Sequence, residues 1–223
     1  TKNNYTKVHK TTYDYPQFKH YPRLQKENKI AAVEIHKELL IKKYADEFNY
    51  KFIARDSQKI NDINVMSFNN QLALSIIAKQ INDDGFYYKN IALRNAYDVF
   101  ILSKKTNANT AFNKLNQLKN PLNCFLATCF EVFNKPETLQ YNTTNEIKKY
   151  LHIFNKHLID NDLRNRKYKK TEIKLFIKSR LRIIYKSIFN KAHRSWLIKR
   201  TTDKNWHQEK LIQIGLKKPK PTP

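Results

Sequence analysis

From about residue 66 onward, apolar positions recur every three or four residues, the period of helices that bury one face. Ser67, followed by Asn69 and Asn70, offers N-cap side chains to a helix reaching about Asn82, with Leu72, Ile76, Ile77 and Ile81 inward and Asp83-Asp84-Gly85 as its stop. Asn90 opens a second helix with a buried stripe of Leu93, Tyr97, Ile101 and Leu102. After a polar break at Thr106 to Thr110, a short helix is predicted over Ala111 to Leu118, and Pro121 suits the first position of a helix over Leu122 to Phe133. Thr143 or Thr144 caps the next, which reaches about Leu158 on Ile147, Leu151 and Phe154. Asp160 to Lys170 reads as a basic loop. Thr171 then caps the most regular helix, Glu172 to Asn190, with Ile173, Phe176, Ile177, Leu181, Ile184, Tyr185 and Ile188 inward, and a last helical stretch carries Trp196.

The first third has a different pattern. Ile30 to Ile35 is an apolar, partly β-branched run, which predicts a buried strand with the carboxylate of Glu34 inside it. Strand side chains alternate, so Glu34 and His36 would share one face while Val33 and Ile35 share the other. A charge there is costly unless a cation, a donor or water compensates it. Spacing alone leaves two readings open: a strand end with Glu34 solvated or paired to a lysine, or a site. Leu39, Leu40, Tyr44 and Phe48 form one stripe, and the mixed stretch Phe52 to Val65 has room for an edge strand. The expected fold is α+β: a small sheet within residues 1 to 65, a mainly helical region over 66 to 216, and an extended or disordered basic tail, 217 to 223.

Composition narrows the classes. Two glycines in 223 residues argue against sandwiches, barrels and glycine-rich phosphate loops, all of which need turns with positive φ. Cys124 and Cys129 lie about 500° apart on a helix, so two buried free thiols in a reducing, cytoplasmic setting are expected rather than a disulfide or zinc site. No run is long and apolar enough for a membrane span. The formal net charge is +24, and from Lys135 onward 23 Lys and Arg stand against 7 Asp and Glu. That balance points to a polyanion, nucleic acid first, or to a solvated lysine-rich surface. The nucleic-acid candidates are Arg164, Arg166, Lys169, Lys170, Lys174, Lys178 and Arg182. His152 and His157 have no acid or cysteine at metal spacing and are read as surface or core histidines. Arg94 and Asp98, four apart on one helix, can pair.

Two stretches resemble a known family. His20-Tyr21-Pro22-Arg23-Leu24, a polar spacer, and Ala32-Val33-Glu34-Ile35-His36-Lys37-Glu38-Leu39-Leu40 form the first. Ile91-Ala92-Leu93-Arg94-Asn95-Ala96-Tyr97-Asp98-Val99-Phe100-Ile101-Leu102 forms the second. Together they resemble an uncharacterised nucleotidyltransferase family of the DNA polymerase β-like superfamily, over about residues 20 to 105. The resemblance implies that the first 65 residues are the remnant of a nucleotidyltransferase-type sheet. It makes Glu34 the third carboxylate of a magnesium site, with His36 and His20 beside it or on substrate. It also gives Arg94 and Asp98 an organising role as a buried pair fastening the helices to the sheet. The substrates implied are a nucleoside triphosphate and an acceptor of unstated kind. The first two metal carboxylates, expected after a Gly-Ser turn, are missing, because no glycine precedes Gly85. The chain alone is therefore expected to be inactive, an N-terminally truncated or degenerate member. The competing expectation is a non-enzymatic, basic, helical nucleic-acid-binding protein of the ribosome-associated kind.

Overall fold

The computed structural model describes residues 4–7, 23–40 and 42–213. His20 and the tail from 217 to 223 lie outside the described residues. The architecture is α+β. By packing, the chain divides into two units: Thr1–Ile35 with Ile173–Pro223, and His36–Glu172.

In the first unit, β1 (Tyr5–Lys7), β2 (Leu24–Lys26) and β3 (Ala32–Val33) make an antiparallel sheet in the order β1-β2-β3, with Leu24 opposite Val33. The buried strand expected over Ile30 to Ile35 is not there. Only Ala32 and Val33 pair, and Ile30, Val33 and Ile35 are exposed. A sheet whose strands are three, three and two residues long has little face to bury. The apolar character of the run does not bury it when no described element covers it.

In the second unit, Leu40 and Phe48 are buried on either side of a single 3-10 turn, so the stripe expected there packs inward without a regular helix. Asn49 caps α1 (Tyr50–Ala54) by accepting from the Phe52 N–H at 2.9 Å. The hairpin β4 (Ser57–Ile60) and β5 (Ile63–Met66) turns on Asn61 and Asp62, both at positive φ, the pair that a two-residue type I′ turn needs. Ser67 caps α2 (Phe68–Ile77) as expected, and Leu72, Ile76 and Ile77 are buried. The helix continues as one wide π turn over Ala78–Asn82 and stops before α3 (Gly85–Tyr88), with Asp84 left-handed. Then come α4 (Leu93–Ser103), α5 (Lys119–Val132) and α6 (Asn145–Ile159), the last capped by Thr144.

Three expectations need correction here. Ala111 to Leu118 is a series of turns, although Phe112, Leu115 and Leu118 are still buried. The buried residues of α4 are Ala96, Val99 and Ser103, while Leu93, Tyr97 and Ile101 face outward. The small Ala96 lets α4 pack closely on α2, Phe100 and Leu102 are partly buried against the core, and Leu93, Tyr97 and Ile101 are left on the far side. Finally, no loop separates residues 160 to 170 from the helix after them. Asp160 accepts from the Leu163 N–H at 2.8 Å, and α7 runs unbroken over Asn161–Phe189, passing straight through Thr171. Two further helices, α8 (Lys191–Thr202) and α9 (Lys204–Gln213), follow after caps at Asn190 and Asp203.

Cys124 and Cys129 are buried free thiols on α5, as expected. Burial pushes the Cys124 thiol up to about 12 and raises Cys129 as well.

Gly85 is one of the two glycines, and its place has a reason. A Cβ there would meet the Lys79 carbonyl oxygen at 2.7 Å, and that oxygen belongs to the backbone of the π turn. Gly85→Ala is expected to destabilise the fold by about 1–3 kcal/mol, the usual cost of overpacking. A chemical-denaturation midpoint unchanged from the parent would show that the turn relaxes freely.

Candidate nucleic-acid interface

The charge gathers on one stretch. From Ile173 to Thr202 the chain holds nine Lys and Arg and no Asp or Glu. On α7, Lys174, Lys178 and Arg182 fall four apart and form one ridge. Tyr185, 65% exposed, and Phe189, 74% exposed, fall on the same side of the helix as that ridge, while Phe176, 57% exposed, falls on the opposite side. The Arg180 guanidinium lies over the Phe176 ring at 4.7 Å, and Tyr185 and Phe189 are tilted against each other at 5.1 Å. A guanidinium on an aromatic face keeps its N–H fork available at the ring edge. On α8 and α9, Arg200 lies over the Trp206 ring at 4.8 Å and the Trp196 ring at 5.7 Å.

The stripe expected to be inward on α7 is therefore corrected: Ile173, Phe176, Ile177, Leu181, Ile184, Tyr185 and Ile188 are all exposed. The spacing that puts them on one face is present, but no described element covers that face. In the first part of the helix, Arg166, Lys169 and Lys170 are exposed and Arg164 is half-buried. They are helical residues, not loop residues. The signal missed in the sequence is the aromatic content of α7: Phe176 and Tyr185 match core spacing as well as they match a displayed platform.

At the base of α7 the side chains make a different environment. His157, on α6, is buried, with its ring edge-on to Tyr168 at 5.7 Å and its Nδ1 without a hydrogen-bond partner. Burial lowers its pKa, Lys89, Arg164 and Lys167 lower it further, and a hydrogen bond to the Tyr88 backbone opposes them. The histidine is thus a buried core residue, one of the two placements its spacing left open.

Glu34 is exposed and lies one residue past β3, outside any strand, so the alternation that put it on one face with His36 does not apply. His36 is exposed too, and its carbonyl accepts from the Tyr50 hydroxyl at 3.0 Å. Arg94 and Asp98 are not a buried pair. Both are exposed on the outer face of α4, and no ion pair joins them among the described residues. They line an open groove of about 760 Å³ between α2 and α4, together with Gln71, Ser75, Asn95 and Tyr97.

Magnesium prefers several oxygen ligands in octahedral array. Glu34 supplies carboxylate chemistry, but among the described residues no group of three His, Cys, Asp or Glu could hold a metal ion. The residues present do not fit a magnesium site by themselves. No described helix is long and apolar enough to cross a membrane. Compared with family models, curated proteins and solved structures, the chain matches none.

The lowered pKa of His157 has a consequence for stability. Above about pH 6.5 the ring is neutral in both folded and unfolded chain, and its contribution is complete. As pH falls through 6.5, the unfolded chain takes up the proton first, so stability falls until the folded state protonates too. The urea midpoint is expected to drop between pH 7.5 and 5.5, and to drop less in His157→Gln. An identical drop in that variant would assign the effect to other groups.

Proposed function

We propose that this chain binds single-stranded nucleic acid through the exposed face of α7. The observation that carries the reading is the run of nine cations without an acid from Ile173 to Thr202, with Tyr185 and Phe189 displayed on the same side of α7 as Lys174, Lys178 and Arg182. Ammonium and guanidinium groups neutralise successive phosphates and release their counterions. Exposed rings stack bases without reading their edges, so affinity arises without sequence preference. A duplex hides its base faces, which favours a single strand over a double helix.

The test is fluorescence anisotropy of a labelled single-stranded oligonucleotide across a salt series. Binding should weaken steeply with salt. Replacing Lys174, Lys178 and Arg182 together by Gln should flatten the slope of log K against log salt by about 2, at roughly 0.7 per phosphate for a single strand. Tyr185→Ala should weaken binding by about 1–3 kcal/mol at any one salt concentration if that ring carries a base. No binding at low salt, or a slope untouched by the triple replacement, would remove nucleic acid from the reading.

A second reading starts from Arg94 and Asp98. They stand in the segment that resembles the nucleotidyltransferase helix and line an open groove, although the buried pair that the resemblance implied is not formed. On this reading the chain is part of a nucleotidyltransferase, and Glu34 contributes a carboxylate to a reacting centre completed by residues not among those described. In the protein expressed from its full reading frame, Glu34→Gln should abolish transfer of a labelled nucleoside monophosphate while leaving the melting temperature unchanged, because Glu34 is exposed. His36→Ala should cost less. Transfer that survives in folded Glu34→Gln would end this reading.

A further inference from the structure

A nucleic-acid strand on α7 would engage the ridge of Lys174, Lys178 and Arg182 and the rings of Tyr185 and Phe189. It leaves the aliphatic residues of the helix without a role. Ile173, Ile177, Leu181, Ile184 and Ile188 are each more than half exposed, and by helical rotation they fall within an arc of about 80°. Together they make an aliphatic stripe about 22 Å long. The back of the helix is different: Leu175, Ser179 and Ile183 are half-buried there, and Ser187 is buried. The steps of the stripe, four, three and four residues from Ile177 through Leu181 and Ile184 to Ile188, are those of a coiled-coil seam. In that register Lys178 and Arg180 take the two positions that flank the seam and choose its partner. The Arg180 guanidinium lies over the Phe176 ring at 4.7 Å, which keeps a cation along one border of the stripe, and Lys174 and Lys178 stand along the other. No acid interrupts them from Ile173 to Phe189.

From this arrangement we infer that the stripe is the docking face for an acidic amphipathic helix of another protein. Ile177, Leu181, Ile184 and Ile188 interleave with its apolar residues, and its Glu or Asp side chains meet Lys178 and Arg180. Charge and width select this occupant. A second copy of α7 would set Lys178 and Arg180 against the same cations in either orientation, and like charges at facing flanks repel. The chain's own residues outside the described set carry the wrong sign as well: 1–3, 8–22 and 214–223 hold six Lys and one acid, Asp14. A lipid surface takes up a helix with a broad apolar face, whereas an arc of about 80° is the narrow seam of helix pairing. Aliphatic side chains give a nucleic-acid strand no ring to stack on. A partner helix with acids at its flanks and an apolar seam between them satisfies both the stripe and its borders.

The probe is a fluorescein-labelled synthetic peptide of three heptads, with Leu at the seam and Glu at both flanks, titrated into the whole chain and read by anisotropy. Two further peptides are compared with it: one with Lys at the flanks, and one of the same composition as the first with its Leu positions scattered. Saturable one-to-one binding is expected of the striped Glu peptide only, with a gain of helical circular dichroism. Replacing Leu181 and Ile184 together by Gln should weaken it at least about tenfold. Both side chains are exposed, so the melting temperature should hold, and this is checked first. A second variant, Lys178→Glu with Arg180→Glu, leaves the stripe intact and should shift preference from the Glu peptide toward the Lys peptide; an unchanged preference overturns the proposal. So does a scattered peptide that binds as tightly as the striped one, since the hold is then Coulombic, and so does the absence of saturable binding. A parent that sediments as a dimer, and as a monomer once Leu181 and Ile184 are replaced, overturns it in favour of a second copy. Uptake onto phosphatidylserine vesicles that the same replacement abolishes overturns it in favour of a lipid surface. The inference does not rest on nucleic-acid binding: the Leu181 and Ile184 replacement reads the stripe, and the Lys174, Lys178 and Arg182 replacement reads the ridge.

Discussion

The unit from His36 to Glu172 depends on one buried helix. Nine consecutive residues of α5, Pro121 to Cys129, are buried, so this helix has no solvent face along that stretch. Such a helix cannot rely on amphipathic patterning and must satisfy every polar group internally. It does so with two side chains. Asn123 donates to the Asn142 carbonyl at 2.8 Å and accepts from the Asn142 N–H at 3.3 Å, and Thr128 returns its hydroxyl to the Cys124 carbonyl at 2.9 Å. At the approach to the helix, the Glu47 carboxylate accepts from the N–H groups of Asn116, Gln117 and Leu118. A carboxylate there stabilises the orphan donors and the positive end of the helix dipole together.

That central helix explains why the elements around it are positioned as they are. Leu72, Ile76 and Ile77 of α2 and Ala96 and Val99 of α4 belong to the same core cluster as Leu122, Phe125, Leu126 and Cys129 of α5. α2 lies against both α4 and α5, so its own outer edge, with Gln71 and Ser75, becomes one wall of the groove. Ala96 is the small residue that allows α4 to come close. Arg94 and Asp98, about 160° from it around the helix, are then turned outward by geometry, and Tyr97, about 100° from it, borders them. The groove is a by-product of how the core closes.

Much of the fold was legible in the sequence because the signals were local and physical. Ser67, Thr144 and Pro121 mark helix starts through hydrogen bonds or missing donors that act within one turn, and the structure places helix starts within three residues of each. The Asp83-Asp84-Gly85 stop works through backbone conformation at the residues that spell it. What failed was inference about faces. Periodicity says which residues lie together on a helix, but whether that face is covered depends on other elements. On α4 the core chose the small residues, and on α7 the stripe from Ile173 to Ile188 is covered by none of the described elements. The run Ile30 to Ile35 failed for the same reason in a sheet. The candidate site was legible in part: Arg94 and Asp98 were singled out as residues, but as a buried pair, and Tyr97 was placed in the core.

The same distinction bears on function. A buried aromatic stripe and a displayed one have the same sequence, so the chemistry of a helix such as α7 is decided by exposure and by what surrounds it. From Ile173 to the end of α7 the sequence holds five cations and no acid. A second copy of the same helix would bring like charges together at the flanks of any shared apolar seam, which costs energy at each pair of facing cations. An anionic partner meets no such penalty, and one with planar faces can use the rings as well as the charges. The apolar residues on α7 therefore do not argue against a polyanion. Two of them, the rings of Tyr185 and Phe189, argue for a polyanion that has bases to stack, which separates a nucleic-acid strand from a simple phosphate polymer.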